Sequence, residues 1–263
     1  MVRPLPLSVA TLVVLALVPA CAPGDPGDGD PTPPAEEGPA WGDGARSIRG
    51  NAFFFDMQTV PQIDNITDVE GALLYVFEAP EIQAVLDPAD GHAFELTGIP
   101  EGKRVTLALT HPDFFPHLTG TFTVGDDDLE DMSFQSVSNR IAELASELLQ
   151  VDIFAPGRCQ MATTVTALGA VDIYAPGEPG ANVTLDPPVP NEQGPYYFNE
   201  MVLPTVSLTE TTTDGGVTVV DAEPGEYVWS GNKEGMEIQE VTMKCVAGWL
   251  TNAAPPWGMN VLP

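Results

Sequence analysis

The sequence predicts a mainly β protein, made of two antiparallel sandwiches in tandem with one amphipathic helix connecting them. Three observations carry this. The 263 residues include Gly 25 and Pro 27, a density that excludes a helical bundle and favours short strands joined by turns. Turn signals recur roughly every 8–12 residues between short runs of alternating hydrophobicity. At a single place, around Val137 to Leu148, the apolar spacing changes from that of a strand to that of a helix. Hydrophobic residues make up 43% of the chain, enough to build one or two cores.

The first module is expected over residues 48–135. Asn51–Asp56 reads as a buried opening strand, and Gly71–Phe77 as a strand apolar on both faces. Asp90-Gly91 marks a turn, followed by the alternating run His92–Leu96 with Phe94 and Leu96 inward. Gly98–Gly102 forms the next turn. Val105–Leu109 alternates again and Thr119–Val124 closes the set. Between them, His111-Pro-Asp-Phe-Phe-Pro-His117 reads as a turn held by Pro112 and Pro116, and Asp126–Asp131 as a solvated acidic turn leading to the helix.

The connecting helix is expected over 136–151. Val137, Ile141, Leu144, Ala145 and Leu148 fall on one helical face, and Ser136 or Ser138 can cap it. A cover of sandwich over Ile141, Leu144 and Leu148 is the expectation. The second module is expected over 152–263, with strands at Met161–Thr166, Gly180–Leu185, Val217–Val220, Glu226–Trp229 and Glu240–Lys244. Tyr196 and Tyr197 sit in a Pro-rich insertion and are the candidates for an exposed ligand contact.

The N-terminus reads as an address. Arg3 precedes an apolar stretch, Leu5 to Val18, too short for a membrane span and ending in Leu17-Val18-Pro19-Ala20-Cys21. This ending resembles the lipobox of bacterial lipoproteins. The resemblance implies a signal peptide over 1–20, lipidation of Cys21, and an anchor in the cell envelope; Pro19 departs from the pattern. Ala22, where an Asp would imply inner-membrane retention, implies outer-membrane sorting, facing the periplasm or the surface. Residues 21–47 are expected to be a disordered acidic tether, because residues 22–44 hold six Pro, six Gly and six acids but no Lys or Arg.

The modules share a turn order: Gly71-Ala72 then a strand corresponds to Gly180-Ala181 then a strand, Asp90-Gly91 to Asp214-Gly215, and Gly102 to Gly225, with Pro100 and Pro224 in the last turn. That order resembles the carboxypeptidase regulatory-like domain, a prealbumin-like sandwich of about seven strands. It covers roughly 178–243 well and 69–124 more loosely. An immunoglobulin-like sandwich shares the same turn spacing.

Charge and motifs bound the function. Lys and Arg number 9 against 38 Asp and Glu, a formal charge of −29, which repels nucleic acid. Gly-x-Ser-x-Gly, Gly-x-x-x-x-Gly-Lys and His-Glu-x-x-His are absent from the sequence. His111, Asp113 and His117 are the only candidate metal ligands, and the acidic run at 126–131 lacks the spacing of a calcium loop; no cofactor is expected. Of three Cys, Cys21 is assigned to lipid, so Cys159 and Cys245 are expected to pair in an oxidising compartment, through a first and a last strand lying side by side. The reading is a non-catalytic anchored scaffold or adhesion protein, attached to the membrane through its lipid and binding an unknown protein or glycan. The alternative is a glycan-binding accessory protein using Trp229, Trp249, Trp257, Tyr196 and Tyr197.

Overall fold

The computed structural model describes residues 39–59, 62–66 and 69–263. The signal peptide, Cys21 and most of the tether lie outside the described residues. The first half supplies β1 (Arg46–Thr59), β2 (Gln62–Ile66), β3 (Leu73–Val76), β4 (Ala79–Val85), β5 (Ala93–Ile99), β6 (Arg104–Val105), β7 (Leu107–His111), β8 (Phe114–Leu118), β9 (Phe122–Thr123) and β10 (Leu129–Val137). Helix α1 (Asn139–Leu149) follows. The second half supplies β11 (Cys159–Thr166), β12 (Asn182–Asp186), β13 (Tyr196–Phe198), β14 (Pro204–Thr205), β15 (Gly216–Ala222), β16 (Gly225–Asn232), β17 (Val241–Cys245), β18 (Leu250–Ala253) and β19 (Met259–Asn260).

Two sandwiches form, and they share one sheet. Its order is β4-β3-β7-β8-β18-β11-β15-β13-β14, so the first four strands come from the first half and the rest from the second. The seam is the parallel pair β8–β18, with His117 opposite Leu250 and Leu118 opposite Thr251. Each half covers its share of this sheet with a layer of its own: β10-β1-β2 with β5 on one side of the seam, β12-β16-β17 on the other. One core holds Phe54, Leu74, Leu107 and Phe134. A second holds Trp229, Met161, Val219 and Met243. Strand pairing is mixed rather than purely antiparallel, because β1–β10 and β11–β18 also run parallel.

Further contacts lock the halves together. Thr121 N–H donates to the Thr242 carbonyl at 2.7 Å, Arg104 pairs with Glu226 at 2.9 Å, and Lys244 pairs with Glu78. The C-terminal segment returns to the first half, where Trp257 Nε1–H donates to the Glu130 carbonyl at 3.0 Å and the ring lies against Phe122.

Several expectations change. Phe114–Leu118 is a strand, so the turn is confined to Pro112-Asp113; the apolar residues around Pro116 are drawn into the shared sheet by β18. The acidic turn leads into β10, a strand the sequence reading missed, whose alternating Met132 and Phe134 face the first core. The end of the expected tether is ordered onto the sandwich: Trp41 packs against the first core, and Gly42 N–H donates to the Gly98 carbonyl at 2.9 Å. Gly44 is required there, since a Cβ would lie 2.1 Å from the carbonyl carbon of Ile99.

Helix α1 starts after Ser138, whose hydroxyl accepts from Ile141 N–H at 3.3 Å, and ends at Gln150 in the left-handed region. Its buried residues are Ala142 and Leu149; Ile141 and Leu144 are half-buried and Leu148 is 43% exposed. The expected full cover of the Ile141–Leu144–Leu148 face is therefore not found. Ala142 and Leu149 pack with Phe115, Ile153 and Val220, a small third core that draws on both halves.

Cys159 and Cys245 form a disulfide with Cα atoms 5.5 Å apart. The strands are not side by side: β11 pairs with β15 and β18, whereas β17 pairs with β16. The bond crosses the second sandwich from one sheet to the other, and β17 is followed by β18 and β19 rather than closing the fold.

Candidate functional site

The uncovered part of the α1 face opens onto a cleft of about 470 Å³ between the helix and the shared sheet. Ile141, Leu144 and Ala145 form one wall. Phe115 of β8, Thr218 and Val220 of β15, and Leu250 of β18 form the floor, so both halves contribute. Two loops make the rim. Ile173 and Tyr174 come from the long β11–β12 connection, Val202 and Leu203 from the β13–β14 turn, and Pro204 from the start of β14. Tyr174 is 68% exposed and Val202 47% exposed, so the apolar lining continues out to solvent. Val202 also holds φ at +61°, a costly conformation for a β-branched residue.

Among the described residues lining the cleft, Asp214 and Tyr174 are the only ionisable ones, and no Lys, Arg or His joins them. Asp214 sits in the turn entering β15, where its Oδ1 accepts the Gly216 N–H at 3.0 Å. Burial pushes its carboxyl above the usual carboxylate range, and the Gly216 bond opposes that only partly. Gly216 has to be glycine: a Cβ would lie 2.5 Å from Asp214 Oδ1 and 2.8 Å from the Phe198 ring. The geometry therefore places a single carboxylate beside an aromatic ring at the edge of an apolar cavity. Among the described residues of the lining no base stands beside that carboxylate.

The tyrosines expected to contact ligand are used otherwise. β13 pairs with β15, with Tyr196 opposite Thr218 and Tyr197 opposite Val217. Tyr197 points into the second core, 4% exposed, and its hydroxyl accepts the Val183 N–H at 3.0 Å. Tyr196 is half-buried against the third core, and its hydroxyl donates to the Glu192 carbonyl at 2.7 Å. Alternation along the strand sends Phe198, not Tyr197, into the cleft. Phe198 was missed; the two-residue period from Tyr196 was the available signal. The remaining aromatics do not share a face: Trp229 is fully buried in the second core, Trp249 lies edge-on to Phe77 at 6.0 Å, and Trp257 packs on the first half.

The metal candidates do not converge. His111 Nδ1 accepts the Asp113 N–H at 3.2 Å. His117 is fully buried at the seam against Phe134, with neither ring nitrogen bonded. Desolvation pushes its pKa down to about 3, so the ring is neutral. Among the described residues no three His, Cys, Asp or Glu side chains gather as a metal site. A second, polar depression holds Asp56, Glu70, His111, Asp113 and Arg140. Its Asp56 carboxylate is already taken by the Ser138 hydroxyl and the Arg140 guanidinium. In the acidic turn, Asp128 accepts the Ser47 N–H at 2.9 Å, and Arg49 reaches Asp128, Glu95 and Glu130. These acids clamp β1 to its neighbours.

No family model matches the chain, and no curated protein matches it. Some solved structures superpose loosely. The Bacillus anthracis TIE protein is 9% identical with TM-score 0.23, covering 79% of this chain and 33% of its own. GBS52, the minor pilin of Streptococcus agalactiae, is 9% identical with TM-score 0.25, covering 83% and 97%. The shaft pilin SpaA from Lactobacillus rhamnosus GG is 8% identical with TM-score 0.24, covering 83% and 97%. The chain spans a third of the TIE protein, and superpositions this loose carry no argument about function.

Proposed function

We propose that this is an exported, lipid-anchored and non-catalytic binding protein of the bacterial envelope, and that the apolar cleft at the junction of its two sandwiches is the binding site. The observation that carries the proposal is the cleft itself. Its size is in the range of small-molecule sites, roughly 300–1,000 Å³, and its lining is apolar with few polar groups. A cavity with one carboxylate and no partner base suits binding rather than turnover. The anchoring half rests on Leu17–Cys21 and on the acidic tether, and the Cys159–Cys245 bond fits an oxidising compartment. Among the described residues no helix is long and apolar enough to cross a membrane. The prealbumin-like character of the modules rests on the turn order in the sequence, and outer-membrane sorting rests on Ala22.

Two measurements test the proposal. In detergent phase partitioning, the mature protein should enter the detergent phase and its Cys21→Ser variant the aqueous phase; a wild type already aqueous would refute the anchor. A neutral apolar dye such as Nile red should bind saturably, and Ala145→Trp, which fills the cleft from α1, should abolish binding. Unchanged binding in that variant would refute the site.

A further inference from the structure

We infer that the junction cleft selects an apolar ligand bearing one positive charge, the chemistry of a long-chain amine, with its chain along the apolar face of α1 and its ammonium group at Asp214. This rests on the proposal that the cleft binds apolar ligands, and adds the charge that the ligand carries.

Charge complementarity carries the inference. Among the described residues Asp214 is the one carboxylate in the lining, and no basic side chain stands there to neutralise it. Its Oδ1 has the Gly216 N–H; no ion pair to Asp214 forms among the described residues. A carboxylate partly removed from water without a counter-charge is destabilised, as the upward displacement of its pKa reflects. A ligand cation seated beside it relieves that cost.

The opposite charge fits poorly. A fatty acid or a phosphate head would bring a second negative group to Asp214 with no Arg or Lys in the lining to receive it. The long-range field of a chain with net charge −29 opposes such a ligand as well. That field alone would attract any cation to any part of the surface, so the test has to isolate Asp214.

The mature full-length protein, loaded with Nile red in low salt, is titrated with dodecylamine, dodecanol and laurate below their micelle concentrations. Dodecylamine should displace the dye at least tenfold more tightly than laurate, with dodecanol between them. Asp214→Asn keeps an oxygen for the Gly216 N–H and loses the charge. It should abolish the advantage of the amine over dodecanol while dodecanol binds as before. Laurate binding as tightly as the amine, or an amine preference that survives in Asp214→Asn, overturns the inference while leaving the cleft a binding site. Displacement by none of the three overturns the binding proposal and the inference with it.

Discussion

In the first half of the molecule, the strand after Gly71-Ala72 joins the shared sheet; in the second, the strand after Gly180-Ala181 joins the small outer sheet. The strands after Asp90-Gly91 and Asp214-Gly215 are exchanged in the opposite sense: β5 lies in an outer layer and β15 in the shared sheet. The turns themselves are alike. Gly71 and Gly180 have φ of 77° and 78°, Gly91 and Gly215 have 72° and 76°. Turn chemistry therefore fixes where the chain reverses, and burial decides which layer receives the strand. β5 hides only alternate residues. β15 is buried on both faces along most of its length, with the outer sheet below it and the cleft and third core above it.

The halves also differ in their fastening. The second is crossed by a disulfide; the first depends on its core and on ion pairs around Arg49. The largest expected effect follows from this. Replacing Cys159 and Cys245 by Ser opens a loop of sequence separation 86 and should cost about 4–5 kcal/mol on the chain-entropy model, read as a drop in denaturant midpoint. If the shared sheet couples the halves, the loss should weaken the first sandwich as well as the second.

His117 tests the seam from the other side. Its folded pKa, about 3, lies below the ordinary value near 6.5, so the unfolded chain binds the proton more readily. The stability this neutral ring contributes is present above about pH 6.5 and is lost as pH falls toward 3. His117→Leu should flatten that part of the pH dependence by about 4 kcal/mol by pH 3 relative to wild type, while the carboxylates titrate equally in both proteins. Equal acid sensitivity of the two would mean that water reaches the ring.

Smaller effects separate the packed part of α1 from its open part. Leu149→Ala should cost about 2–3 kcal/mol, because Leu149 is buried in the third core. Leu144→Ala should cost less than about 1.5 kcal/mol, because Leu144 lines the cleft. Ser138→Ala should cost about 1 kcal/mol through loss of the cap. Each is read by denaturant unfolding, and an equal loss at Leu144 and Leu149 would mean that the cleft closes in solution.

Much of this was legible in the sequence. The β class, the connecting helix, a serine cap at 136 or 138 and the cysteine pair all follow from spacing and chemistry that act locally or by elimination. The shared sheet does not, because the pairing of β8 with β18 joins residues far apart in sequence and leaves no periodic trace. β10 was hidden because Glu130 and Asp131 near its start continue an acidic run; the alternation of Met132 with Phe134 was the usable sign. The cleft was half legible. The apolar face of α1 was plain, but its partner loops look like ordinary turns, and the exposed Tyr174 and Val202 gain meaning only beside the helix. Tyr197 misled because aromatic residues in a Pro-rich segment read as surface, whereas its hydroxyl found the Val183 N–H inside the core.

The central structural claim is that two sandwiches with different fastenings form one cooperative unit through the β8–β18 seam, with the cleft built across it. Calorimetry of the mature protein, with and without reductant, tests it most directly. The account predicts a single transition whose van't Hoff and calorimetric enthalpies agree, moving as a whole to lower temperature when Cys159–Cys245 is reduced. Two resolved transitions, only one of them shifted by reductant, would contradict it.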